Sequence, residues 1–395
     1  MKRILSAAVL LLCSAGIIFS FDFGLLADQR AEAENELFTY SSALTPWFSY
    51  NGGQGLTVYL SGLLSMDYKK YTDENSGDGW NNPVVLPELS RFAIGYRAGR
   101  NLFVEAGRVG YTDTTGLAAA GLFDGFRLEA DLPAGSMSAG LFYTGLLYKK
   151  TAEIIMTADD VNNYAQPWDW DTYGASRRLL TALRWNIPLA EYHALSFEAL
   201  AQFDLNGSEE TLHSQYTEIQ AEFYPQSRLG IILGALFETM QNSDGGFSAA
   251  FGAAGRLKTD LPGTLNHGLN VTVKYTSGNW NDTFAAFTPI NSRTQGLIFP
   301  GSISALALLR ADYEARILST LAAEGTMCYF FRTFEDPGES GSVYGGELWA
   351  SLAYQPFDDV RITLGGGAFF PGLGNIYPDD TDTMWKVRAG LAISF

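Results

Sequence analysis

The chain of 395 residues holds two cysteines and three histidines. Cys13 falls in an apolar stretch near the start, which leaves Cys328 alone in the rest. A single thiol closes no intramolecular disulfide, and no cysteine cluster offers a structural zinc site. Stability therefore has to come from an extended hydrogen-bonded structure. Histidine is too scarce to support much acid–base chemistry. His193 and His267 sit in short turn-like segments, and His213, beside Ser214 and near Glu209 and Glu210, reads as a solvent-facing polar residue rather than a general base. Basic residues are in deficit as well, 26 Lys and Arg against 43 Asp and Glu for a formal charge of −17, which disfavours binding along a nucleic-acid backbone. No nucleotide-binding motif is present, and no metal or cofactor site is expected.

Long apolar runs are missing too, with one exception at the start. Lys2 and Arg3 precede an apolar stretch from Ile4 to Leu12 that continues to Phe19, and Ser20 offers a small residue at a cleavage edge. Residues 1–20 read as a secretory signal peptide, and residues 21–395 as the functional unit. No later segment is apolar for long enough to cross a bilayer as a helix.

What the chain has instead is aromatic residues at 14%, 42 glycines and a mean hydropathy near zero. That combination arises when half of each strand faces lipid and half faces water. The alternation is explicit at the end of the chain. Trp385, Val387, Ala389, Leu391, Ile393 and Phe395 interleave with Lys386, Arg388, Gly390, Ala392 and Ser394. The same period appears in Leu56–Asp67, Arg91–Arg97, Leu195–Asp204, Leu269–Tyr275, Ala305–Glu314 and Tyr344–Leu352. Alternation between turn signals predicts about eighteen strands.

Connection lengths predict the topology. Short, turn-rich segments at Asn51–Gly55, Ala98–Asn101, Leu132–Gly135, Pro188–His193, Pro225–Arg228, Leu261–Gly268 and Pro356–Asp359 take turns with long ones at Thr72–Leu89, Thr151–Ser176 and Trp280–Ser302. The fold expected is an all-β, transmembrane, antiparallel up-and-down barrel with short periplasmic turns, long outer loops and both termini periplasmic. So many strands enclose a lumen too wide for wall side chains to fill, and a channel is the default consequence. Expected partners are outer-membrane lipid, the barrel assembly machinery, whose signal the terminal phenylalanine resembles, and a hydrophilic solute.

Alternation also assigns the lumen. Pore-lining candidates are Arg91, Arg97, Arg127, Arg184, Arg256, Lys274, Arg310 and Arg361 together with Glu198, Glu218, Asp312 and Glu347. Arg178, Arg332, Lys386 and Glu238 fall on the same face. Guanidinium rows favour anions and acid rows favour cations. Two readings of the mixture stand: paired rows that stiffen the wall, or a ladder that selects solutes.

An outer loop folded inward would set the bore. The segment Thr151–Ser176 carries Tyr164, Trp168, Trp170 and Tyr173 among Asp159, Asp160, Asp169 and Asp171, acids that read as solvated. The rings are candidates for stacking on sugars or for a membrane rim. Trp280 and Phe284 are the candidates in the other long loop.

Two stretches carry a family resemblance. Gly107-Arg108, followed by Leu122-Phe123-Asp124-Gly125-Phe126-Arg127-Leu128, is similar to the Gly-Arg and Asp-Gly-x-Arg-Leu pattern of the alginate-export family of outer-membrane porins. Lys274 to Phe284, continuing to Phe287, resembles that family's passage from strand to loop. The resemblance implies an eighteen-stranded barrel, with specific diffusion channels among its relatives. It also implies passage of an anionic saccharide, uronate or other organic acid past Arg91, Arg127, Arg184 and Arg310. Only Arg127 lies inside a matching motif, and this lumen is mixed where the family's is strongly positive. The expected function is therefore passive diffusion or export of small hydrophilic or anionic solutes, without enzymatic activity. The alternative is an adhesin or structural barrel acting through its acidic, aromatic outer loops.

Overall fold

A computed structural model describes residues 20–53, 55–71, 83–167, 169–207, 210–263, 265–279, 284–334, 341–378 and 380–395. Residues 1–19 of the expected signal segment, Trp168 and Trp280 lie outside them, and Ser20 opens the first strand. Eighteen antiparallel strands form one sheet closed on itself. The first six are β1 (Ser20–Glu34), β2 (Leu37–Asn51), β3 (Leu56–Tyr71), β4 (Val84–Ala98), β5 (Leu102–Thr112) and β6 (Ala120–Leu132). Next come β7 (Gly135–Tyr143), β8 (Arg178–Ala190), β9 (His193–Asp204), β10 (Leu212–Gln226), β11 (Leu229–Asn242) and β12 (Phe247–Asp260). The series ends with β13 (Asn266–Thr276), β14 (Leu306–Leu318), β15 (Leu321–Arg332), β16 (Val343–Phe357), β17 (Val360–Phe370) and β18 (Met384–Ser394).

Each strand pairs with its sequence neighbours, and β1 pairs with both β2 and β18, which closes the ring. Phe395 adds a reciprocal backbone pair with Leu25 at the seam. Closure removes the sheet edges that hydrocarbon would not tolerate. The start of β1, the end of β18 and the short turns after the even-numbered strands lie at one end; the long connections lie at the other, together with the tight turns at 35–36 and 243–246. Ala305, included in a strand by its alternation, instead has φ 50 and ends the preceding loop.

The outer face is apolar and the inner face polar. Leu233, Val273, Leu348 and Leu364 remain about half exposed on the outside. Their sequence neighbours Ile232, Thr272, Lys274, Glu347 and Thr363 line the interior recesses or the loops within them. This is the period-two arrangement that a lipid-facing barrel requires.

The ladder has one long interruption. β4 pairs with β5 only from Phe92 to Ala98, although β3 pairs with β4 up to Val84. Above that point the tip of the β5–β6 hairpin leaves the wall and bends into the lumen. Gly107 and Gly125 face each other just below the bend, with Gly107 at φ 124. A Cβ on Gly125 would lie 2.0 Å from the Leu141 carbonyl oxygen, and one on Gly107 would lie 2.1 Å from that of Phe92. Only glycine permits this backbone approach. Gly125→Val should lower stability by about 1–3 kcal/mol through overpacking, while Gly110→Ala, built into open space, should be neutral. Urea midpoints of the folded species in detergent measure both.

Candidate functional site

Three connections from the long-loop end meet inside the barrel. The shortest, Asp113–Ala119, is the tip of the β5–β6 hairpin, folded on the Asp113 carboxylate. That group accepts the Ala119 N–H at 2.6 Å and the Leu117 N–H at 3.1 Å. The second, between β7 and β8, contains helices α1 (Lys149–Ala152) and α2 (Ala158–Ala165). The third, between β13 and β14, runs across the lumen. Its Ile290 N–H bonds the Ala118 carbonyl and its Ser292 N–H bonds the Glu153 carbonyl. Asn291 joins all three, accepting the Ala120 N–H at 3.1 Å and donating to the Ala152 carbonyl at 2.6 Å. Burial lifts the Glu153 carboxyl above the ordinary carboxylate range, an effect that Arg293 partly offsets.

Wall carboxylates hold these loops in. Glu198 accepts the Thr114 N–H at 2.6 Å and the Tyr111 hydroxyl at 2.7 Å. Glu218 accepts the Thr115 N–H at 2.8 Å, and Glu238 the Thr288 N–H at 2.9 Å. Glu347 takes three successive amides, Leu297, Ile298 and Phe299, at 2.8, 3.0 and 2.8 Å. All four carboxylates are 3% exposed or less. The candidates Glu198, Glu218 and Glu347 thus face loop backbone rather than open lumen. Loop amides in the water-poor interior need such acceptors, because each would otherwise cost about 1–3 kcal/mol unpaired. Phe299 then stacks on Phe330 at 4.3 Å and packs against Phe369, filling one side of the interior.

The cations divide into two groups. Arg91 and Arg127 share Glu105, at 3.5 and 3.0 Å, and Arg184 binds Glu198 at 2.8 Å. Arg97 is exposed and lies over the Phe103 ring. Farther round the wall, Arg256, Thr272 and Arg310 stand in one register row across β12, β13 and β14. Lys274 is one inward position above, bonded to Gln295 of the crossing loop. Its charged neighbours are Arg293, Arg256 and Arg310, with Asp113 as the acid among them. Arg310 is paired with Asp312 at 2.8 Å. Below this level lie two recesses of about 520 and 460 Å³. Asp260, Glu314, Arg316 and Glu324 line the first, and Arg361 and Arg388 the second. Ion pairs therefore run over β4–β9, while at β12–β14 Arg256, Lys274 and Arg310 gather with Asp113, Glu222 and Asp312 beside them.

The aromatic loop candidates lie elsewhere. Trp170 is 68% exposed and stacks beside Tyr173, which packs on Tyr148. Phe284 meets Phe251 edge to face at 5.1 Å, and Phe251 shares the outward side of β12 with Phe247 and Leu257. Neither group joins the basic cluster. Asp160, expected among solvated loop acids, is fully buried against Arg178, which also binds Asp204 at 2.6 Å. The sequence signal for that pair is the Thr157–Asp160 capping box, which marks a helix start. The crossing tip Asp113–Ala119 left only an Asp-Thr-Thr-Gly turn signature. His213 uses Nδ1 to accept the Asp204 N–H. Among the described residues no group of His, Cys, Asp and Glu is placed to hold a metal.

No family model matches the chain, and no curated protein matches it. Solved structures do. OpdK, an outer membrane protein from Pseudomonas aeruginosa, is 11% identical with a TM-score of 0.62, over 95% of this chain and 99% of that one. OccK5 (OpdH) from the same organism is 11% identical with a TM-score of 0.61, over 95% and 98%. OpdQ gives 10% and 0.58, over 95% and 99%. The closed barrel fold is shared with these solved structures. The resemblance to the alginate-export family rests on its two segments alone.

The pegging geometry has a measurable consequence. Glu347→Ala strands three loop amides and should destabilise the crossing loop by about 2–4 kcal/mol. Limited proteolysis within residues 286–305 should accelerate while the barrel stays folded, and Glu347→Gln, which keeps an acceptor, should lie in between.

Proposed function

We propose that this protein is an outer-membrane channel for passive diffusion of small anionic organic solutes. The observation that carries the reading is the fate of the lumenal acids. At the level of the crossing loop Glu198, Glu218, Glu238 and Glu347 are buried against loop amides. Lys274 there has Arg256, Arg310 and the loop's own Arg293 as charged neighbours, with Asp113 as the acid among them. A narrow, low-dielectric passage focuses the field of such a cluster and raises the local concentration of anions. Guanidinium groups offer planar paired donors to a carboxylate. Aromatic acids, aliphatic acids and single uronates are one class to such a site.

The comparison supports the class. One solved OpdK structure contains vanillate, an aromatic acid, and shares this fold with a TM-score of 0.59 at 11% identity. Under this reading residues 1–20 direct export, the end that holds the start of β1 and the end of β18 is periplasmic, and Phe395, just after the closing strand, engages the assembly machinery. No residue is assigned a catalytic role, and flux follows the solute gradient.

Planar-bilayer recording tests the proposal. Wild-type protein should give stepwise channels that prefer anions. Arg256→Glu combined with Lys274→Glu should lower the anion-to-cation permeability ratio by about tenfold, read as a shift in reversal potential. An unchanged ratio would remove the basic cluster from the selection mechanism. Closed bilayers would favour the adhesin.

A further inference from the structure

The interruption between β4 and β5 leaves a window in the barrel wall, and the β7–β8 connection covers it. Among the described residues, β4 from Val84 to Arg91 has no strand partner on its β5 side. The segment after Tyr143 turns back across this space. Arg108 sits at the lower corner and binds Asp124 through both carboxylate oxygens, at 2.9 and 3.0 Å. Its remaining donors reach the Leu89 carbonyl on β4 and the Leu146 carbonyl of the cover, the latter at 3.0 Å. Leu146 is 64% exposed while Leu147 is 3% exposed, so the cover presents one leucine outward and the next to the interior.

The two margins of the cover differ. On the β8 side it is anchored by buried charge: Asp160 of α2 pairs with Arg178, both fully buried, and accepts the Asn206 amide at 3.1 Å. On the β4 side it is held by the Arg108 bridge and by one exposed hydrogen bond, Thr151 to Glu88 at 3.1 Å. Inside, Asn291 and Ser292 of the crossing loop touch α1 and Glu153. The β8 margin is thus held by fully buried charge and the β4 margin by contacts nearer the surface.

We infer that this cover is a lateral door, through which apolar or amphiphilic solutes pass between the long-loop mouth of the lumen and bilayer hydrocarbon. Its chemistry selects such solutes. Leu147, Ala152 and Ile154 behind it are at most 5% exposed and belong to the same apolar cluster as Val109 and Phe123. With Leu146 in front, a molecule crossing here meets mainly apolar side chains, with buried Lys149 and the Arg108–Asp124 pair as the polar groups beside it, and a hydrated ion is excluded. The Gly107-Arg108 and Asp124-Gly125 pairs acquire a joint role. The glycines allow the hairpin to leave the wall, and the Arg–Asp pair closes the corner this creates.

The inference rests on the barrel spanning an outer membrane, and the test separates it from the channel reading. The full chain carrying Leu89→Cys and Leu146→Cys is expressed in a Gram-negative host. Both positions are accessible, and Cys328 is 2% exposed and spared. The pair is bridged with a reducible bifunctional thiol reagent. The probe is N-phenyl-1-naphthylamine, which fluoresces on entering hydrocarbon and is otherwise held back by the outer leaflet. Unbridged cells should take it up about fivefold faster than cells lacking the barrel, bridging should return uptake to that background, and reduction should restore it. Anion conductance in planar bilayers should persist in both states. Equal probe uptake in bridged and unbridged cells would overturn the door whatever the conductance, whereas absent conductance with bridge-sensitive uptake would overturn the channel alone.

Discussion

A peptide group without a partner is the expense that organises this molecule. In hydrocarbon each orphaned N–H or C=O costs several kcal/mol, so a sheet is admissible only when it closes. Eighteen strands achieve closure through β1, which receives β18 on one edge and β2 on the other. The same requirement governs the interior. Loops folded into the lumen carry backbone amides away from bulk water, and the wall supplies carboxylates for them. Glu347 alone accepts three. Charge and backbone satisfaction are therefore one problem here. An acid that serves a loop amide no longer acts freely on a solute.

This explains why the parity of a residue and its role are separable. Period two places Glu198, Arg184 and Lys274 on the inner face because alternation is a property of the strand itself. Whether an inner side chain meets water, a cross-strand partner or a loop depends on segments that have no period. Glu198 meets Thr114 and Arg184, while Lys274 meets Gln295. Arg184 is the cross-strand partner of Glu198, but Thr114 and Gln295 are not visible from the strands that carry the charges.

The strand number and the inward face were readable from the chain, since each follows from local periodicity and turn chemistry; the alternation of short and long connections was readable except at the tight turns 35–36 and 243–246. The course of the loops was not. A loop of seven residues, Asp113–Ala119, crosses part of the lumen, whereas the aromatic-rich segment near Trp170 stays at the wall. Length and ring content do not encode direction. Direction is set instead by Gly107 and Gly125, whose missing side chains let the hairpin bend, and by the acids waiting on β9 and β10. The dipeptides Gly107-Arg108 and Asp124-Gly125 belong to the stretch that resembles a family pattern. Their physical content is a kink with a charge pair at its edge.

Asn291 shows how these solutions are joined. It accepts the Ala120 N–H at the root of the inward hairpin tip and donates to the Ala152 carbonyl of the wall cover, from within the loop that crosses the lumen. Bending β5–β6 inward creates the window, the β7–β8 connection covers it, and the β13–β14 loop braces both from inside. Each of the three would leave unpaired groups on the others if it were absent. The constriction and the cover consequently have to be stable together. A displacement of α1 draws on Asn291, and through it on the loop that carries Arg293 into the basic cluster. The selectivity of the bore and the integrity of the wall thus depend on the same few hydrogen bonds.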